Sequence, residues 1–126
     1  MRPAYCSAVT RPIAANNYAL SLRVLKRFEE AKLLLRRTVP VARRVLGEND
    51  ITTLRLRWGY AQSLCLDTAA TLDDLREAVE TLADAGRTAR RVFGGSHPLT
   101  GGIEKSLREA RAALRARETP SPAEGA

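Results

Sequence analysis

The sequence is short of the residues that build catalytic centres and disulfide-stabilised cores. Its 126 residues include two cysteines, one histidine and 5% aromatic residues. Cys6 and Cys65 lack the spacing of metal ligands or of a disulfide framework, so we interpret them as free thiols in a reducing, cytoplasmic compartment. No apolar run approaches the ~18 residues that a membrane span requires. The length and the abundance of Ala, Leu and Arg predict one helical domain with a modest core.

Motifs for catalysis are missing as well. His97 stands beside Pro98, and no Cys, Asp or Glu lies at ligand spacing around it. The pairs Gly94-Gly95 and Gly101-Gly102 follow no predicted strand and precede no Gly-Lys-Ser/Thr, so they do not predict a phosphate-binding loop. We therefore expect no enzyme activity, no metal site and no cofactor.

Acidic residues are absent from residues 1–28, which carry five arginines and lysines. Residues 1–46 contain ten basic and two acidic residues, whereas residues 47–126 contain eleven basic and twelve acidic ones. A basic half of this kind can attract nucleic acid, an anionic membrane or an acidic peptide, or it can form a solvated Arg-rich helix face. The acid-free start also resembles an organelle transit peptide, although removing residues 16–28 would delete half of a structural unit.

That unit is one of two repeated blocks. Residues 16–22 match residues 58–64 at an offset of 42, through Tyr18-Ala19 and Tyr60-Ala61. Residues 42–47 match residues 89–94 at an offset of 47, so five extra residues lie between the blocks of the second copy. A period of this size is typical of stacked helical units that cannot bury their apolar faces alone.

Apolar periodicity predicts five helices, with Pro40 kinking the second. The first helix runs from Pro12 to Leu25 and the second from Arg27 to Gly47. The third runs from Ile51 to about Leu66 after an Asn49 or Asp50 cap, and the fourth from a Thr71–Asp74 capping box to Gly94. Ser96 and Pro98 open the fifth, which runs to about Arg117. The predicted core comprises Ala19, Leu22, Phe28, Ala31, Leu35, Tyr60, Ala61, Leu64, Leu75, Ala78, Leu82 and Val92, and Tyr18 is placed on the same inward face.

These segments resemble the kinesin-light-chain type of tetratricopeptide repeat. The resemblance rests on Asn16-Asn17-Tyr18-Ala19, Phe28-Glu29-Glu30-Ala31, Arg43-Arg44-Val45-Leu46-Gly47 and the Gly94-Gly95-Ser96-His97-Pro98 turn. It implies an all-α, right-handed α-α superhelix of about 2.5 helix pairs. Two departures are Lys26, where the family has a glycine between helices, and Arg108, at the position of the small Ala19 and Ala61.

The resulting domain division has five parts. Residues 1–11 form a flexible basic leader, residues 12–47 the first repeat and residues 48–94 the second. Residues 95–117 supply the first helix of a third repeat, which acts as a polar-faced cap because a guanidinium at Arg108 would not be buried unpaired. Residues 118–126 are expected to be disordered.

The resemblance also implies a concave groove lined by the first helix of each pair. By register, the groove residues are Asn16, Asn17, Leu20, Arg23, Val24, Arg55, Trp58, Gly59, Gln62, Cys65, Lys105, Ser106 and Glu109. Asparagine can both donate to and accept from a peptide backbone, and the two arginines can hold a carboxylate. Trp58 is either an aromatic anchor or a packing residue against the neighbouring helix, and the arginines are either ligands or solvated surface.

We therefore expect a non-catalytic scaffold or adaptor that captures a peptide, acidic in character, in this groove. The alternative is a basic nucleic-acid-binding module that acts through Arg36, Arg37, Arg43 and Arg44. Because short arrays bury little surface, we also expect a homo-oligomer or a longer repeat array.

Overall fold

The computed structural model describes the backbone of residues 4–119 and the side chains of residues 10–119. This part of the chain forms five α-helices joined by short turns. They are α1 (Ala4–Val24), α2 (Phe28–Val45), α3 (Ile51–Cys65), α4 (Leu72–Phe93) and α5 (Pro98–Glu118).

The helices form two layers. Each helix packs against the next along the chain, and α1 and α5 also both contact α3. The odd-numbered helices therefore form one layer, and α2 and α4 lie against it. This arrangement is an α-α superhelical repeat, which confirms the fold class expected from the sequence.

Local sequence signals mark the starts of α3 and α4 and the end of α2, as predicted. The Asp50 carboxylate accepts a hydrogen bond from the Thr52 N–H at 2.8 Å and caps α3. Thr71 and Asp74 form a reciprocal capping box at the start of α4. After α2, Gly47 adopts a φ of 96°, in the left-handed region where glycine carries no Cβ penalty.

Two boundaries differ from the sequence-based prediction. The first helix begins at Ala4, so residues 4–11 are helical rather than a flexible leader, and Pro12 lies buried inside the helix. Ser96 and Pro98 are expected to open the fifth helix, and its N-cap is His97, between them: the His97 Nδ1 accepts a hydrogen bond from the Leu99 N–H at 3.0 Å. Disorder is expected for residues 118–126, but Glu118 is the last residue of α5. Residues 1–3 and 120–126 lie outside the described part of the chain.

One proline and one lysine in the first helix pair occupy positions that are unfavourable for their residue types. Helix α2 continues through Pro40 to Val45 in register, as its apolar stripe predicts. Lys26, in the turn between α1 and α2, has a φ of 61°. The Arg27 N–H donates to the Leu22 carbonyl at 2.8 Å and the Lys26 N–H to the Arg23 carbonyl at 2.9 Å. These bonds form a Schellman turn, a geometry that usually selects glycine at the position of Lys26.

The core is largely the one expected. Nine of the twelve predicted core residues are buried, while Phe28 and Tyr60 are half-buried. Val92 is 38% exposed and Tyr18 is 58% exposed, so both inward placements are wrong. Arg108 is exposed on α5, in accord with the expectation that its charge would stay in water.

Candidate functional site

A cleft lies between α1 and α3 on the layer formed by the odd-numbered helices. It encloses about 390 Å³. The residues that line it are Asn16, Leu20, Arg23, Arg55, Trp58, Gly59 and Gln62. All seven belong to the set that the repeat register predicts, because residues three and four positions apart share one face of a helix.

A second, smaller cleft of about 110 Å³ lies between α3 and α5. Cys65, Ser106 and Glu109 contribute to its wall, together with Leu66, Ala110 and Ala113. Gln62 lines both clefts, so they are neighbours; the two clefts together, across α1, α3 and α5, are called the groove below. Asn17, Val24 and Lys105 are exposed but line neither cleft.

Arg23 has the most unusual electrostatic environment in this groove. Its guanidinium packs against the backbone of Gly59, where an added Cβ would lie 2.6 Å from Nη1. The Nη1 atom is buried and has no hydrogen-bond partner among the described residues. Burial lowers the pKa of Arg23 because desolvation penalises the charged form. The groove thus holds a partly desolvated cation with no carboxylate partner among the described side chains.

Trp58 is fixed by contacts across the groove. Its indole Nε1 donates a hydrogen bond to Ser106 Oγ at 2.8 Å. Its ring also lies against Gly102, where a side chain would collide with it. Trp58 therefore packs α3 against α5 while its remaining surface forms part of the first cleft, so the packing role and the lining role coexist.

Charge changes sign along the groove. Arg23 and Arg55 lie at the α1 side, whereas Glu109 lies at the α5 side beside Cys65. Burial raises the pKa of the Cys65 thiol, and the nearby Glu109 carboxylate adds to the shift. Cys65 is a free thiol, and it is held in its protonated form.

One family of known proteins is similar to part of this chain. A family model described as a tetratricopeptide repeat matches residues 13–52, which span most of α1, all of α2 and the start of α3. The match covers 40 of the 126 residues, and this segment is similar to a tetratricopeptide repeat. No curated protein and no solved structure matches the chain in the same comparisons. A tetratricopeptide repeat implies a protein–protein interaction module, and the family is generally non-catalytic.

Two polar networks hold the second helix pair against the matched tetratricopeptide repeat. The Tyr60 hydroxyl donates to Glu77 Oε2 at 2.6 Å and accepts from Arg36 Nη2 at 3.1 Å. Burial is the main cause that raises the pKa of this hydroxyl, and the hydrogen bond to Glu77 is the second. Three successive helices, α2 to α4, are thereby linked through one side chain.

The second network centres on Arg57, which the sequence analysis did not single out. Its side chain is 5% exposed, and its Nη2 lies 2.6 Å from Asp84 Oδ2. Its Nη1 lies 4.0 Å from Glu48 Oε2 in the turn after α2. No motif marks Arg57 as buried, because its burial depends on the helix and the turn that cover it.

The arginines proposed for nucleic-acid binding differ in their contacts. Arg36 is held by Tyr60, and Arg43 Nε lies 3.1 Å from Glu48 Oε1. Arg37 and Arg44 are exposed and form no ion pair among the described side chains. Residues 4–119 include no helix long and apolar enough to cross a membrane, and their described side chains form no metal-binding cluster of His, Cys, Asp and Glu.

Proposed function

We propose that this repeat captures an acidic peptide segment of a partner protein in the groove across α1, α3 and α5. The observation that carries the proposal is the buried, unpartnered Nη1 of Arg23 in a cleft whose other cation, Arg55, is exposed. A carboxylate brought into this cleft would offset the desolvation of the Arg23 guanidinium.

The other groove residues suit an extended peptide. Asn16 and Gln62 each offer an amide donor and an amide acceptor, which fit alternate backbone groups of a bound strand. Leu20 is 51% exposed, and together with the free part of Trp58 it gives an apolar surface between the polar groups. The peptide's acidic residues would lie near α1, because Glu109 repels them at the α5 end.

The test compares two double variants with the same loss of charge. Arg23→Ala/Arg55→Ala removes the groove cations, and Arg43→Ala/Arg44→Ala removes two exposed cations from α2. A labelled peptide of Asp, Glu and Leu residues is titrated against each protein, with its Asn/Gln counterpart as the uncharged control. We expect the groove variant to weaken binding at least tenfold, whereas the α2 variant keeps most of it.

Pull-down experiments extend the same comparison to natural partners. If partners are lost with Arg43→Ala/Arg44→Ala or after nuclease treatment but survive the groove variant, the groove proposal is wrong and the nucleic-acid alternative is favoured. Circular dichroism of each variant verifies that helix content is unchanged, since Arg23 is half-buried.

A further inference from the structure

One side of α1 carries a stripe of exposed residues at helical spacing. The stripe, called the end face below, consists of Arg11, Ala14, Tyr18, Ser21 and Leu25 at successive steps of three and four residues. All five are exposed, Tyr18 by 58% and Leu25 by 64%. Leu25 directly follows the last residue of α1 and continues its spacing.

The same stripe occurs in α3 and is covered there. At the repeat offset of 42, Arg11, Ala14, Tyr18 and Ser21 correspond to Thr53, Leu56, Tyr60 and Ser63. Thr53, Leu56 and Ser63 are buried, and Tyr60 is half-buried.

The covering element is α2. The Thr53 hydroxyl donates to the Ala42 carbonyl at 3.3 Å. Leu56 packs in one cluster with Ala42, and Val39 and Leu46 pack against that cluster.

In α5 the stripe is covered again, this time by α4. At an offset of 47 from the stripe of α3, its members are Thr100, Ile103, Leu107 and Ala110. Leu107 is half-buried and the other three are buried. Ile103 packs beside Gly86 of α4, where an added Cβ would lie 3.5 Å from Ile103 Cγ2. In both later copies, therefore, the preceding helix buries the stripe that the end face leaves open.

An apolar cleft of about 500 Å³ adjoins the end face between α1 and α2. Arg11 and Arg37 line it, together with Pro12, Ala15, Leu34, Thr38 and Val41. In the second helix pair, the positions of Ala15 and Arg37 are occupied by Arg57 and Asp84. The buried Arg57 forms an ion pair with the half-exposed Asp84, and Glu48 approaches Arg57 from the turn after α2. In the first helix pair, Arg37 stands where the second pair has the carboxylate of Asp84. Among the described residues, no acidic turn like that of Glu48 lies over the cleft of the first pair.

We propose that the end face docks an amphipathic helix of a protein partner, followed by a turn that carries a carboxylate. The helix occupies the place on α1 that α2 occupies on α3. The carboxylate of the turn binds Arg37 and Arg11, as Glu48 approaches Arg57 in the second pair. This surface is separate from the groove and does not depend on the function proposed for it.

A second copy of this chain fits the end face less well than such a helix. Residues 1–28 contain no acidic residue, so two copies of α1 would bring like charges together. Within each copy, the α2 surface that covers the stripe of α3 is already occupied by α3. The proposed partner therefore supplies both the apolar face and the negative charge.

The test uses the full chain, labelled with ¹⁵N, and a synthetic peptide of residues 28–50, which is α2 with its acidic turn. A side-chain staple between the exposed positions 33 and 37 holds the peptide helical. We expect amide shifts at the end face and at Arg37, and no comparable shifts at the groove residues Arg55, Gln62 and Glu109. Peptide carrying Glu48→Gln should bind several-fold more weakly.

Tyr18→Glu in the full chain should reduce binding by about tenfold or more, because it places a carboxylate in the contact. Val92→Glu is the matched control, since Val92 is also an exposed apolar residue, at 38%, but lies near the end of α4 and lines neither the groove nor the cleft beside the end face. Circular dichroism verifies that both variants fold. No binding, shifts confined to the groove, or equal weakening by the two variants would overturn the proposal. Concentration-dependent shifts of the end face without peptide would overturn it too, because they identify a second copy as the occupant.

Discussion

Trp58 and Ser106 are joined by a hydrogen bond of 2.8 Å from the indole Nε1 to the serine Oγ. The bond connects α3 to α5, and the Trp58 ring also packs against Gly102 of α5. Ser106 is buried, so its hydroxyl is the acceptor that prevents the indole N–H from being left without a partner.

Ser106→Ala should therefore lower the free energy of unfolding by about 1–2 kcal/mol, because a part-buried donor loses its acceptor. Urea denaturation followed by the fluorescence of Trp58, the one tryptophan, measures the change. Ser96→Ala is the control, since Ser96 is exposed in the turn before α5. A Ser106→Ala protein as stable as the control would mean that the hydrogen bond is not maintained in solution.

Lys26→Gly should stabilise the protein by about 1 kcal/mol. The φ of 61° at Lys26 is unfavourable for a residue with a Cβ and neutral for glycine, although glycine also gains entropy in the unfolded chain. Thermal unfolding of Lys26→Gly and Lys26→Ala distinguishes the causes. Only the glycine variant should melt at a higher temperature; a similar gain with alanine would point to the lost charge instead.

Asp84→Asn should destabilise the protein at neutral pH by about 1–2 kcal/mol. This is less than the loss expected for a fully buried ion pair, because the Asp84 side chain is 52% exposed. The hydrogen bond and charge of Arg57 lower the pKa of Asp84 in the folded state. A lowered folded-state pKa adds stability that is fully present above the unfolded carboxyl pKa of about 3.9 and is lost as the pH falls through the folded value.

The difference between wild type and Asp84→Asn should thus be full at pH 7 and shrink at acidic pH. Urea titrations at a series of pH values measure this difference. Glu80→Gln, which changes an exposed carboxylate on the same helix, should show little difference at any pH. A gap between wild type and Asp84→Asn that widens on acidification would contradict the assigned ion pair.

His97→Ala should lower the free energy of unfolding by about 1 kcal/mol, because α5 loses the acceptor of its cap. His97→Asn should restore most of that loss, since its short side-chain carbonyl can accept from the same first-turn N–H groups. Chemical denaturation of the two variants measures the contrast. Equal stability of the alanine and asparagine variants would assign the effect to the Phe93–His97 ring contact, whose centroids lie 4.9 Å apart.

Cys65 should react slowly with a thiol reagent, because burial raises its pKa and leaves little thiolate near neutral pH. The measurement uses Cys6→Ser, so that one thiol remains. The reaction should accelerate with rising pH and after unfolding in urea. Since Cys65 lines the second cleft, a peptide bound across the groove should slow it further. A reaction as fast as that of a free cysteine would contradict this environment.

Much of the fold follows from the sequence because its signals are local. The Asp50 cap and the Thr71–Asp74 capping box use residues a few positions apart, so they form wherever the helix forms. The groove positions also follow from the repeat register, and seven of them meet in one cleft. Whether they bind a peptide stays a prediction, as do the boundaries between the repeats and self-association.

Tyr18 and Tyr60 mark what only the tertiary structure decided. Both are followed by the pattern Ala-x-Ser-Leu, and they occupy corresponding positions of the repeat, 42 residues apart. Tyr60 lies between α2 and α4 and hydrogen-bonds Arg36 and Glu77, whereas Tyr18 is 58% exposed. The repeat sequence by itself determined the helix and the face on which each tyrosine lies. Burial depended on whether another helix covers that face, because side chains lose contact with water only through atoms that other parts of the fold bring against them.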